Sequence, residues 1–215
     1  MQKNITISTE ASYITKNTFS DKTKYVWLVC HGYGQLAKYF VRRFDILDEK
    51  VHYIVAPEGL SKFYLDANYG KVGASWLTKE NKEIYLQNQL SYLEKVYFEE
   101  LKNIDLEGVE LVLLGFSQGV ATICRWAVNL KIPFKKLILW AGAFPTEISK
   151  NDLEFVDDNA QIFLLIGNED EYLNYFRIED QVKLISDLCL PPKLITFTGG
   201  HEVKREVLQE VVQSF

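Results

Sequence analysis

Val109-Glu110-Leu111-Val112-Leu113-Leu114-Gly115-Phe116-Ser117-Gln118-Gly119, leading into residues 120–130, is the stretch on which the reading of this chain turns. Its first part is a β-branched, Leu-rich run of the length of a buried strand. Residues 120–130 have a helical pattern, so residues 115–119 make a tight strand-to-helix turn. Gly115 and Gly119 remove the Cβ atoms that would collide where the strand doubles back into a helix packed against it. A serine in such a turn sits at the strand end with its hydroxyl exposed. The helix start aims free backbone N–H groups, that of Gln118 among them, at the space in front of it. Ser117 is therefore a candidate nucleophile. The competing reading is a serine that merely caps the helix, and its partners decide between the two.

A serine hydroxyl is a poor nucleophile near neutral pH; it needs a base to take its proton and a third group to orient that base. The chain has three histidines. His31, in Cys30-His31-Gly32-Tyr33-Gly34, follows a strand at 25–30, and His52 lies near the start of a strand at 51–56; both precede the serine. His201 follows the apolar run Leu194-Ile195-Thr196-Phe197, in the glycine-relaxed loop Thr198-Gly199-Gly200-His201-Glu202. On sheets carrying this kind of serine turn the chain order is nucleophile, acid, histidine, which selects His201. The acid should then lie between residues 117 and 201, at the end of a strand. Gln161-Ile162-Phe163-Leu164-Leu165-Ile166 is such a strand and ends in Gly167-Asn168-Glu169-Asp170-Glu171. Asp170 is the choice. Spacing within the loop does not separate it from Glu169 and Glu171, and a solvated acidic loop is the competing reading. The glycines of His31-Gly32-Tyr33-Gly34 let a backbone N–H approach a substrate closely. Tyr33 N–H and Gln118 N–H are expected to form an oxyanion hole, with His31 buried and hydrogen-bonded beside the turn.

At 215 residues the chain falls in the single-domain range, and one domain over 1–215 with a substantial core is expected. A net charge of −5 without a basic run argues against nucleic acid as a partner. The N-terminus lacks the apolar core of a signal peptide and no stretch reaches membrane-spanning length, so a cytoplasmic protein without stable membrane insertion is expected. Three cysteines, an odd number, read as free thiols, with Cys30 and Cys124 inside apolar patterns. Metal-ligand spacings and glycine-rich phosphate-binding fingerprints do not occur, and neither a metal nor a cofactor is expected.

The elements alternate as in a mostly parallel sheet flanked by helices. A hairpin is expected from 5–8 and 12–16, then the strand 25–30, a helix near 36–47 and the strand 51–56. Residues 57–78 form a long connection without clear periodicity, a length at which loops tend to be functional. It carries Phe63, Tyr64, Tyr69 and Trp76. Trp76 and Tyr64, with Phe144 in the exit Gly142-Ala143-Phe144-Pro145 of a strand at 137–141, are the candidate substrate-binding residues; anchoring the loop to the body is the competing role. A helix is expected to start near residue 78 and to run through Ile84, Leu86, Leu90, Leu93, Tyr97 and Leu101 on one stripe. Further helices are read at 176–188 and 203–212. The fold class is α/β, with a mostly parallel central sheet, helices on both faces and no large cap domain.

The motifs Leu28-Val29-Cys30-His31-Gly32-Tyr33-Gly34, Ala56-Pro57-Glu58-Gly59, Ser75-Trp76-Leu77, Leu114-Gly115-Phe116-Ser117-Gln118-Gly119, Ala141-Gly142-Ala143, Gly167-Asn168-Glu169-Asp170 and Gly200-His201-Glu202 together resemble the phospholipase/carboxylesterase family of α/β-hydrolases, the branch that includes acyl-protein thioesterases. The resemblance spans most of the chain. It implies a catalytic serine, aspartate and histidine at Ser117, Asp170 and His201, and oxyanion donors at Tyr33 and Gln118. It also implies a serine hydrolase cleaving small carboxylic esters or thioesters through an acyl-enzyme. Such a protein would have a small-molecule ester or thioester as partner, with a homodimer left open. A peptidase, an acyltransferase or a non-catalytic binding protein on the same scaffold are the alternatives. Two positions depart from the family pattern: Gln35 stands where an acidic residue is frequent, and Leu77-Thr78 where an aromatic and an aspartate are. Both bear on the acyl pocket, so the resemblance is carried to reaction class only.

Overall fold

Apolar side chains alternate between two environments along the central strands, because successive residues of a strand point to opposite faces. The computed structural model describes residues 1, 3–102, 104–172 and 175–215. Its strands are β1 Tyr13–Lys16, β2 Tyr25–Cys30, β3 His52–Pro57, β4 Ser61–Tyr64, β5 Val72–Ser75, β6 Glu110–Phe116, β7 Lys136–Trp140, β8 Gln161–Gly167 and β9 Lys193–Phe197. The helices are α1 Ala37–Phe40, α2 Lys82–Leu101, α3 Gln118–Leu130, α4 Tyr175–Asp187 and α5 Arg205–Gln213. Seven strands form one sheet in the order β1-β3-β2-β6-β7-β8-β9. All neighbours are parallel except the antiparallel pair β1 and β3.

Val26, Leu28 and Cys30 of β2, with Leu111 and Leu113 of β6, enter a core covered by Leu93 and Val96 of α2 and by Val120, Ile123 and Ala127 of α3. Trp27 and Val29, with Val112, Leu114 and Phe116, enter a second core under Phe40 of α1, Phe44, and Val207, Leu208 and Val211 of α5. Each such side chain contributes roughly 1.5–3 kcal/mol on burial, which is why the doubly covered central strands read as continuous apolar runs. β2 lies between β3 and β6, and Cys30 is in register with Gly115. The chain leaves β2 toward β3 and later returns to β6 on the other side. The loops after β2 and β6 therefore part at a topological switch point, where open α/β sheets place their ligands.

Four local expectations are corrected. Among the described residues no strand forms at 5–8; Tyr13–Lys16 instead pairs with β3, from Tyr13↔Pro57 to Lys16↔Ile54. A lone two-stranded hairpin is marginal in water, whereas the edge of a buried sheet offers a ready ladder. Within 36–47 only α1 is α-helical, and Val41–Ile46 continues as a 3₁₀ helix. The connection 57–78 contains the hairpin β4–β5, paired from Ser61↔Ser75 to Tyr64↔Val72. Helix α2 begins at Lys82, after Asn81 in the left-handed region at φ 49°, a conformation that asparagine tolerates. Among the described residues no helix is long and apolar enough to cross a membrane.

Candidate active site

Ser117 stands between β6 and α3 with φ 53° and ψ −119°, a backbone conformation rare for a residue with a side chain. Close packing of three backbones imposes it. A Cβ on Gly115 would lie 2.5 Å from Gly119 O, and a Cβ on Gly119 would lie 2.6 Å from His31 O and collide with Cys30 O. Elbow, helix start and the loop after β2 therefore touch backbone to backbone. Although Ser117 occupies the N-cap position of α3, its side chain makes no capping bond. Its Oγ lies 2.8 Å from His201 Nε2 instead.

The imidazole of His201 is reached from two further strands. The loop after β8 and the loop after β9 are laced together: Asn168 N–H donates to Phe197 O at 2.9 Å, Glu169 N–H to Gly199 O at 2.9 Å, and Gly199 N–H to Asn168 Oδ1 at 3.2 Å. This lacing turns Asp170 inward, with a side chain fully shielded from solvent, while Glu169 and Glu171 stay exposed. Asp170 Oδ2 lies 2.8 Å from His201 Nδ1, and its Oδ1 accepts the Tyr172 N–H at 2.9 Å. A carboxylate at Nδ1 holds the ring proton there and leaves Nε2 free to accept from the serine hydroxyl. The ring packs between Phe116, at a centroid distance of 4.9 Å, and Tyr172, at 4.8 Å. Trp140 Nε1–H donates to Glu202 O at 2.9 Å and pins the histidine loop to β7.

On the other side of Ser117, among the described residues, no hydrogen bond takes up the N–H of Tyr33 or of Gln118. The groups around them are occupied. Gly32 N–H donates to Gln35 Oε1 at 2.9 Å, and Gly34 N–H to Ala74 O at 2.9 Å. His31 is fully buried: its Nδ1 meets Gly32 O at 2.8 Å and its Nε2 accepts the Gly59 N–H at 3.0 Å. Burial lowers its pKa below the usual histidine value, keeping it neutral and suited to accept that bond. His52 lies far from the serine at the opposite end of β3, where its Nδ1 accepts the Trp27 indole N–H at 3.0 Å.

A family model described as phospholipase/carboxylesterase matches residues 15–215. The chain belongs to that family. Its fold is shared by solved α/β-hydrolases at low identity. Acyl-protein thioesterase 2 from Zea mays has a TM-score of 0.71 and 15% identity, over 95% of this chain and 97% of the other. A carboxylesterase from Bacillus cereus has 0.68 and 15%, over 95% of each chain. A phospholipase/carboxylesterase from Dyadobacter fermentans has 0.67 and 19%, over 98% and 99%. No curated protein matches the chain by sequence.

Within this phospholipase/carboxylesterase fold, two of the three aromatics expected to meet substrate are buried and the third is exposed. Trp76 is 2% exposed, donates its indole N–H to His31 O at 2.7 Å and packs on the His31 ring at 4.8 Å; it braces the loop after β2 from beneath. Phe144 is also 2% exposed and belongs to the core on the α2 and α3 side, while its backbone N–H donates to Gln181 Oε1 at 2.7 Å. Tyr64 is exposed but pairs edge-on with Tyr69, and it alternates with Phe63, whose ring lies 5.0 Å from that of Tyr33. Pleating thus turns Phe63, not Tyr64, toward the loop beside the serine. Sequence reasoning passed over Phe63 as one aromatic among four, and over the side chains of Gln118, Gln35 and Asn168, which bond to backbone and leave no periodic trace.

Proposed function

We propose that this family member is a serine hydrolase, acting as a single domain, that cleaves small carboxylic esters or thioesters through an acyl-enzyme. The observation that carries the reading is the unbroken chain Ser117 Oγ, His201 Nε2, His201 Nδ1, Asp170 Oδ2, with both contacts at 2.8 Å. In the first step Ser117 Oγ bonds to the substrate carbonyl carbon as its proton passes to His201 Nε2. The carbonyl oxygen takes the negative charge and faces the N–H groups of Tyr33 and Gln118. Asp170, buried and already accepting from Tyr172 N–H, stabilises the imidazolium without taking its proton. The carbon–oxygen or carbon–sulfur bond to the leaving group then breaks, and the proton on Nε2 leaves with the departing alcohol or thiol. Water repeats the sequence: it loses a proton to Nε2, attacks the acyl carbon and releases the carboxylic acid, and Ser117 Oγ recovers the proton.

Half-exposed Phe63 against exposed Tyr33 offers an acyl group an open ledge, in keeping with small, accessible substrates. Ser117→Ala should lower kcat on p-nitrophenyl acetate by ~10⁴-fold or more with the fold intact by circular dichroism. It should also abolish labelling by a fluorophosphonate probe. Wild-type turnover in that variant overturns the reading.

A further inference from the structure

Two oxyanion donors that come from different loops are useful only at a fixed separation, and the side chain of Gln118 is what ties their loops together. Its Nε2–H donates to Leu77 O at 2.6 Å and its Oε1 accepts the Trp76 N–H at 2.9 Å, with Ser75 Oγ 3.3 Å from both atoms. The elbow thereby grips residues 74–77, the end of β5 and the turn that follows it. That segment in turn grips the loop after β2 at three points: Trp76 Nε1–H to His31 O at 2.7 Å, Gly34 N–H to Ala74 O at 2.9 Å and Ala74 N–H to Gln35 O at 3.1 Å. Tyr33 lies between these anchors. A closed circuit runs from Gln118, through residues 74–77, to the residues flanking Tyr33, and both free N–H groups sit on it.

We propose that the Gln118 side chain is a positioning residue that sets the spacing between the Tyr33 and Gln118 N–H groups. The inference rests on the reading of those two groups as oxyanion donors. The chemistry demands a carboxamide of this length: the same side chain must donate to the Leu77 carbonyl and accept from the amide of the residue before it. An ionised carboxylate cannot donate, a thioether cannot donate and accepts only weakly, and asparagine is one methylene short. The departure at Leu77 from the family pattern leaves this grip intact, because it is the Leu77 carbonyl that accepts.

Gln118→Met keeps the length and removes both bonds. Steady-state hydrolysis of p-nitrophenyl acetate and inhibition by an aryl trifluoromethyl ketone, which adds to the serine as an oxyanion-bearing hemiketal, are measured beside wild type and Ser117→Ala. A displaced donor should cut kcat roughly 10- to 100-fold while KM stays within about threefold. The Ki of the ketone should rise by the same factor as kcat/KM falls, a correspondence that general loosening of the fold would not produce. Should Gln118→Met fail to fold, Trp76→Phe, which severs only the indole bond to His31 O, is expected to move kcat and Ki together by about 3- to 10-fold. Turnover and Ki at wild-type values in the folded variant, or a rise in KM alone, overturn the proposal. An inactive Ser117→Ala in the same series shows that the serine reading survives that failure; an active one removes both.

Discussion

Asp170 and His201 meet side chain to side chain across two loops, whereas the N–H groups of Tyr33 and Gln118 belong to the backbone and are held by side chains reaching in from elsewhere. The Asp170–His201 half of the site rests on a few polar atoms, with room beside the histidine at Gly200. Gly200, beside His201, has no heavy atom closer than 3.8 Å to a Cβ position, while Gly119 has backbone oxygens within contact distance on the far side of the turn. Around Ser117 the backbones are thus in contact at Gly119, whereas around His201 the chain is close-packed at Gly167 and open at Gly200. A side chain can be re-aimed by choosing a rotamer, but a peptide N–H moves only with its chain, so donors of that kind require dense bracing.

The largest effect should fall on the relay side and on activity alone. His201→Ala is expected to lower kcat by ~10⁴-fold or more, and Asp170→Asn by ~10³- to 10⁴-fold, with melting temperatures near wild type. Glu169→Gln should stay within about threefold, since that carboxylate faces solvent. A loss at Glu169 in place of Asp170 would reassign the acid and undo the contrast.

On the oxyanion side the corresponding damage should appear as stability. Gly119→Ala forces a methyl against Cys30 O and His31 O and should cost ~3 kcal/mol or more in urea unfolding, while Gly200→Ala should cost under ~1 kcal/mol. Equal costs would mean that the chain is packed alike at Gly119 and Gly200.

The smallest effect concerns the two buried histidines, His31 and His52. Burial lowers the pKa of His52 from 6.5 to about 4, and that of His31 in the same direction. A group whose folded pKa lies below its unfolded one contributes stability that is complete above the unfolded pKa and is lost as pH falls toward the folded value. Urea midpoints should therefore decline from pH 6.5 to about 4, with His52 contributing on the order of 2 kcal/mol. His52→Gln, whose amide oxygen can still accept from Trp27, should flatten that slope. A variant with an undiminished slope would show that His52 is not the titrating group.

Much of this architecture was legible from residue order because it rests on patterns that repeat. The strands β2, β6 and β8 announced themselves as apolar runs, and the glycines around Ser117 marked where backbones had to cross. His201 is marked by its place after the serine, in a glycine-rich loop that follows a strand, and Asp170 stands with Glu169 and Glu171 unresolved beside it. Only the lacing of residues 167–170 with 197–199 shows which carboxylate turns inward. The β4–β5 hairpin stayed hidden because Ser61-Lys62-Phe63-Tyr64 and Val72-Gly73-Ala74-Ser75 are short and carry little alternation. Trp76 and Phe144 were expected at the substrate, but an aromatic ring looks the same in sequence whether it lines a pocket or fills a core. The grip of Gln118 on residues 75–77 joins positions some forty residues apart through backbone atoms, which carry no residue-specific mark.

Ser117 follows β6 at the middle of the sheet and His201 follows β9 at its margin, two strands that stand three spacings, or about 14 Å, apart. The sheet acts here as a ruler laid between the strand that carries the hydroxyl and the strand that carries the imidazole, with β7 and β8 as its graduations. Fraying at the margin would carry the imidazole off while the hydroxyl kept its station, so the pair would come apart from its rim inward with its centre still assembled.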